Sequence, residues 1–185
     1  MECRKVAWIM KDFKYEWGIA GGWALDLFQG RKTRDHHDIE IVIFRSHQHN
    51  VKDYLKDWEF RKVINGEFQD WGDEHLTLPI HEIHAVHRSS GELIEILLNE
   101  MEKERWVYRR DARISRNIQY VMNKTEEGIP YLQPEIVLLY KAKHTRHKDD
   151  LDFYHTLPCL NQSQRDWLKN SIELSISHHK WLADL

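Results

Sequence analysis

The 185-residue chain contains only two cysteines, Cys3 and Cys159, near its opposite ends. That excludes a disulfide-framed scaffold and fits a reducing compartment, the cytoplasm. No apolar run approaches the roughly 20 residues that a bilayer-spanning helix requires. The opening MECRKVAWIMKDF mixes charges into its apolar pattern and has no continuous signal-peptide core. Excess positive charge is missing as well: 27 Lys and Arg against 30 Asp and Glu leave a formal net charge of −3. Without a basic field, generic nucleic-acid binding is not expected. Repeats and low-complexity tracts are also absent. At 41% hydrophobic and 31% charged residues, with eight Trp, the composition is that of a globular chain with one sizeable core.

Periodicity predicts the elements. Val6, Ile9, Met10 and Phe13 recur at helical spacing between Cys3 and about Glu16. Trp17–Ala20 reads as a buried strand ending at a glycine pair. Trp23–Phe28 reads as a short helix closed by Gly30, and Ile39–Phe44 as a strand. A helix is expected over Gln48–Trp58. Strands follow near Glu59–Ile64, Leu76–Leu78, Ile83–His87, Leu93–Leu98 and Trp106–Arg109, with turns at Asn65-Gly66 and Ser89-Ser90-Gly91. After Gly128-Ile-Pro130 the character changes to helices over Glu135–His144, with Pro134 in the first turn, then Lys148–Leu157 and Gln164–Ser177. The expectation is an α/β front, residues 1–125, and a helical segment, 126–185, packed on it as one unit.

The chemistry concentrates in Gly21–Ile43. A glycine turn at a helix start offers backbone N–H groups and the positive dipole end to phosphate. Downstream, Asp38 and Glu40 are two residues apart on a strand, so both carboxylates share a face, while Ile39, Ile41 and Ile43 take the other. Such a pair can converge on a divalent cation. A third acid, Glu95, interrupts the apolar strand Leu93–Leu98, where unpaired burial of a carboxylate is costly. Two readings stay open for it: a metal ligand beside Asp38 and Glu40, or a carboxylate paired with a basic side chain or facing water. Glu92 competes for the third place but has the opposite parity.

Three blocks, Gly21-Gly-Trp-Ala-Leu-Asp26, Gly30-Arg-Lys-Thr-Arg-Asp-His36 and Asp38-Ile-Glu-Ile41, closely resemble the signature of the DNA polymerase β nucleotidyltransferase superfamily. Within it they resemble the aminoglycoside 2″- and lincosamide-nucleotidyltransferase-like branch. Glu95-Ile-Leu-Leu-Asn-Glu100 and Pro134–Lys143 are similar to later blocks of that branch. The resemblance implies an α+β fold: a mixed twisted sheet flanked by helices, followed by a C-terminal helical segment. It implies transfer of a nucleoside monophosphate, AMP from ATP or another triphosphate, to a hydroxyl of a small-molecule acceptor. A nucleotide-binding regulator, or an enzyme acting on protein or RNA, is the alternative. By the same analogy Gly21 and Gly22 would touch the phosphates, and Asp38, Glu40 and Glu95 would hold Mg²⁺ in a two-metal site, with Glu95 as general base. Lys141, Lys143 and Lys148 are candidate triphosphate ligands, with Lys143 favoured by analogy. Arg34 is another, against a structural pairing with Asp26 or Asp35. Glu at positions 40 and 95, where many relatives carry Asp, is the departure from the pattern.

Other clusters read as structural. His36-His37-Asp38 precedes a strand and lacks the helix that a metal phosphohydrolase needs. In a strand, His84 faces away from His81 and His87, which argues against zinc. Asp149, Asp150 and Asp152 suit a helix N-terminus, and Trp71 a loop anchor. Asp70, Asp73, Glu74 and Glu82 are acids that a polycationic acceptor would seek, if they face the site.

Overall fold

The computed structural model describes residues 2–185. Helix α1 (Cys3–Ile9) is followed by strand β1 (Trp17–Ile19), helix α2 (Gly21–Gln29) and strand β2 (Glu40–Phe44). Helix α3 (Gln48–Tyr54) leads into the hairpin β3 (Trp58–Ile64) and β4 (Glu67–Asp70), turned at Asn65-Gly66, then into β5 (Glu82–His87) and the long β6 (Leu93–Glu102). Four short strands follow: β7 (Arg105–Val107), β8 (Ser115–Asn117), β9 (Met122–Lys124) and β10 (Pro130–Leu132). Helices α4 (Pro134–Ala142), α5 (His147–Thr156) and α6 (Gln162–Ser175) complete the α+β order.

The ten strands form one mixed sheet in the order β4-β3-β5-β6-β2-β1-β10-β9, with β7 and β8 extending the far end of β6. Strand β2 lies near the middle, parallel to β6 and antiparallel to β1. Register explains why these strands alternate. Ile41 opposes Ile96, and Ile96 opposes Ile83, giving a row of isoleucines that are all 0% exposed. That row fixes the parity of its strands, because a slip of one residue would move it to the opposite face. Helix α4 is buried along most of its length, through Ile136, Val137, Leu138, Leu139 and Ala142, and packs against α2, α5 and α6. Pro134 occupies its first turn, where a missing N–H costs nothing.

Several boundaries differ from the sequence expectation. Helix α1 stops at Ile9, and Phe13 reaches the core from a turn. Trp58 opens a strand instead of closing α3, because Trp58 and Phe60 are buried while Glu59 and Arg61 face out. Leu76–Leu78 is not a strand. The buried Gln48 side chain accepts from the Leu76 amide at 2.7 Å and donates to the Leu76 carbonyl at 3.2 Å, replacing a strand ladder there. The sheet does not stop at residue 125 either: β10 runs parallel to β1, Ile19 opposite Tyr131. Among the described residues no helix is long and apolar enough to cross a membrane.

Candidate active site

On the face opposite the isoleucine row, the same registers set a polar one. Glu40 opposes Glu95, and Glu95 opposes His84, so these side chains stand in one line across β2, β6 and β5. The next row is Val42, Leu97 and Glu82. Asp38, just before β2, is exposed at the rim. All but His84 line a cleft of about 750 Å³, whose other wall comes from α2, the loop before β2, α4 and the start of α5.

The glycine pair heads α2, with Ala20 as its cap. Gly21 has φ +59°, and a Cβ built there would stand 1.5 Å from Oε2 of Glu40. A Cβ on Gly22 would stand 2.3 Å from Cε1 of His36 and 2.6 Å from Nη2 of Arg34. The backbone therefore approaches the acidic row more closely than any side chain permits. Gly21→Ala is expected to cost about 1–2 kcal/mol from the left-handed backbone. Displacing Glu40 should lower turnover about 10²-fold. Urea denaturation and initial rates on the same preparation check both.

Asp26 shapes the loop between α2 and β2. It is 5% exposed and accepts from the Thr33 amide at 3.0 Å, the Thr33 hydroxyl at 2.6 Å and the His36 ring at 2.6 Å. Burial opposes its charge, but these donors hold its carboxyl below the usual range. Trp23 packs on His36 with ring centroids 4.7 Å apart. Conformationally the loop is fixed by Asp26, a role the sequence alone did not reveal.

Arg34 lines the cleft but pairs with neither Asp26 nor the Asp35 carboxylate. Its Nε and Nη2 donate to both oxygens of Asp152, at 2.7 and 2.9 Å. Lys141 also lines the cleft and contacts Asp149 at 3.0 Å and Asp152 at 2.9 Å. Lys143, two residues on, is exposed and not among the lining residues, so the helical geometry puts Lys141, not Lys143, in the cleft, where Lys148 joins it. Asp149 and Asp152 accordingly do more than favour a helix dipole: they are buried counter-charges for the cleft's cations. Of the four acids in the middle region only Glu82 lines the cleft. Asp70, Asp73 and Glu74 reach Arg61, Lys52 and Lys62 instead. Trp71 is the loop anchor its context suggests, 5% exposed and donating to the Glu74 carbonyl.

Glu82 and His84 are the residues that periodicity could not place. Knowing that β5 neighbours β6 would have revealed them, and no local signal encodes that. His84 Nε2 lies 2.8 Å from Glu82 and 3.8 Å from Glu95. Burial first, then the charges of Glu40, Asp38 and Glu82, push the Glu95 carboxyl up to about 7, although His84 opposes the shift. Burial likewise raises Glu40, with Lys141 pulling the other way. The Glu40 carbonyl accepts from the Ala20 amide at 2.8 Å, but its carboxylate accepts no hydrogen bond among the described residues. Glu40 and Glu95, register partners short of counter-charge and open to a cleft, have the chemistry to take a divalent cation. Asp38 stays at the exposed rim, and the set of three donor atoms within 4.8 Å of one another among the described residues is Glu82, His84 and Glu95, not the acidic trio 38, 40 and 95.

A helix start bare of side chains, set against strand-borne carboxylates at the edge of a cleft, suits a phosphate beside a cation, and the family match makes the class a nucleotidyltransferase. Residues 2–156 match the aminoglycoside-2″-adenylyltransferase family model, and the chain belongs to that family. No curated protein is similar enough in sequence to count as a relative. Among solved structures, the lincosamide antibiotic adenylyltransferase LnuA, crystallised with lincomycin bound, is 16% identical with a TM-score of 0.60, covering 85% of this chain and 95% of its own. ANT(2″)-Ia in complex with adenylyl-2″-tobramycin is 15% identical with a TM-score of 0.61, covering 92% and 95%. At such identity the likeness shows the shared fold.

Proposed function

We propose that this enzyme transfers a nucleoside monophosphate, AMP from ATP in the first instance, to a hydroxyl of a small-molecule acceptor of the aminoglycoside or lincosamide kind. The observation that carries this reading is the row Glu40–Glu95 beside the Gly21–Gly22 turn, at the wall of one cleft. Family membership points to the same chemistry.

The backbone amides of Gly21 and Gly22 bind phosphate oxygens, assisted by the dipole of α2. Lys141, Lys148 and Arg34 offset triphosphate charge from the same wall, and Lys143 contributes at most from outside. Asp38, Glu40 and Glu95 are the residues that would hold Mg²⁺, which would stabilise the charge developing on the attacking and leaving oxygens. Glu95 accepts the proton of the acceptor hydroxyl. In the metal-free protein burial and the neighbouring acids push that carboxyl up to about 7, toward the range a general base needs near neutral pH. The hydroxyl oxygen forms a bond to the α-phosphorus as the bond to the β-phosphate oxygen breaks, and pyrophosphate departs. The chain supplies chiefly position and electrostatics. Glu82 and Asp35 in the cleft wall give a cationic acceptor partial complement.

Labelled ATP, Mg²⁺ and a panel of aminoglycosides and lincosamides should yield a product bearing one nucleotide, with stoichiometric pyrophosphate. Asp38→Asn should lower the rate about 10²-fold or more. Nucleotide binding without pyrophosphate release for any acceptor would point instead to a regulator built on this fold.

A further inference from the structure

Behind the acidic row, His84 joins two acids of the cleft in a second constellation, and no step of the transfer above uses that imidazole. We propose that Glu82, His84 and Glu95 form a cation site of their own, one that takes a transition metal such as Mn²⁺, Co²⁺ or Zn²⁺ in preference to Mg²⁺. It shares Glu95 with the transfer site, and what the ion contributes to turnover rests on the reading above. Its binding does not.

The geometry is that of a ligand set. One donor atom from each residue lies within 4.8 Å of the other two. His84 Nε2 is 2.8 Å from Glu82 Oε1 and 3.8 Å from Glu95 Oε1. Bonds of about 2.0–2.2 Å to one ion, at angles of 90–110°, separate ligand atoms by roughly 2.9–3.6 Å. The observed spacings bracket that range. Small rotations of side chains, without backbone movement, would bring all three onto one centre.

The scaffold holds them there. Glu82 and His84 are two apart on β5 and so share a face, and Glu95 is the register partner of His84 on β6. Phe68 of β4 packs edge-on against the His84 ring, centroids 4.7 Å apart, and limits its rotation. The side chains of Glu82, His84 and Glu95 are 31%, 13% and 17% exposed, walled on the sheet side yet reachable from solvent.

Charge and donor type then select the ion. Neither Glu82 nor Glu95 forms an ion pair with Lys or Arg among the described residues, and Glu40 and Asp38 add further negative charge nearby. Mg²⁺ prefers oxygen ligands in near-octahedral array. An imidazole beside two carboxylates shifts the preference toward borderline metals. The competing arrangement is an imidazole that simply hydrogen-bonds Glu82 and binds no ion.

The untagged, metal-free full-length chain titrated with Co²⁺, with no nucleotide or acceptor present, tests this. One equivalent should produce a visible d–d absorption band that excess Zn²⁺ abolishes and equimolar Mg²⁺ does not. His84→Ala and Glu82→Gln should each weaken Co²⁺ at least ~10-fold, since removing a direct ligand costs no less than removing an outer-shell partner. Asp38→Asn should keep the band. Far-UV circular dichroism verifies folding; if His84→Ala does not fold, the near-isosteric Glu82→Gln decides. No band at one equivalent, a band that survives both variants, or one lost in Asp38→Asn while His84→Ala retains it, overturns the assignment. Because nucleotide is absent, failure to bind Co²⁺ and failure to transfer AMP are read separately.

Discussion

Glu95→Gln is expected to lower nucleotidyl transfer by about 10²–10⁴-fold, the span of a lost general base, while raising the melting temperature of the metal-free protein at pH 8. The two effects share a cause. In the unfolded chain this carboxyl titrates near its ordinary 4.5, but in the folded protein it is pushed up to about 7. Between those values the native state holds a proton that the unfolded state has released, so rising pH favours unfolding. Above pH 7 the full penalty of a buried, crowded carboxylate is present. Glutamine keeps the shape and cannot ionise, so the penalty disappears. Each kcal/mol regained should raise the melting temperature by about 2–4 °C in a chain of this size. Below pH 4 both forms are neutral and the variants should melt together. Calorimetry in chelator at pH 4 and pH 8, with kcat/KM measured at pH 8, checks the pair. A lower melting temperature for the variant at pH 8 would mean that His84 already neutralises Glu95.

Asp152→Ala carries the second large effect, in stability. This side chain is 1% exposed and receives two hydrogen bonds from Arg34 and a contact from Lys141. Removing one partner of a buried pair costs about 3–5 kcal/mol, mostly because the remaining charge is stranded. Here Arg34 is 21% exposed and Lys141 keeps Asp149, which puts the expectation at the low end, about 3 kcal/mol. Asp35→Ala is the comparison. It breaks only the pair with Lys32, in a carboxylate 88% exposed, and should change stability by less than about 0.5 kcal/mol. Urea midpoints for the two variants separate these outcomes.

What the sequence disclosed followed from local rules. The alternation Asp38-Ile-Glu40-Ile-Val-Ile43 announced a strand with one acidic and one isoleucine face, and the structure has both. Gly30 closed the predicted helix, with φ +66°. Glu95 could be singled out because a charge inside Leu93–Leu98 has few inexpensive locations. The family motif added the nucleotidyltransferase class. Strand order, however, is non-local. Glu82 sits beside Glu95 only because β5 pairs with β6 and β6 with β2, and neither pairing is written in the neighbourhood of residue 82. The same holds for Arg34, whose partner lies in α5, well beyond Asp26 and Asp35 in the chain. Lys141 and Lys143 could be told apart only in part: a helix forbids both from facing one way, but which way depends on how α4 docks. Leu76–Leu78 misled because a side chain, Gln48, supplied hydrogen bonds that a sheet normally provides.

The Asp26 anchorage has a consequence for how a ligand arrives. A loop whose turns are already tied to a buried carboxylate has little disorder left to lose when an anion settles against it. Encounter there should proceed in a single kinetic phase, with no slow ordering step, and its heat should reflect charge and desolvation more than chain folding.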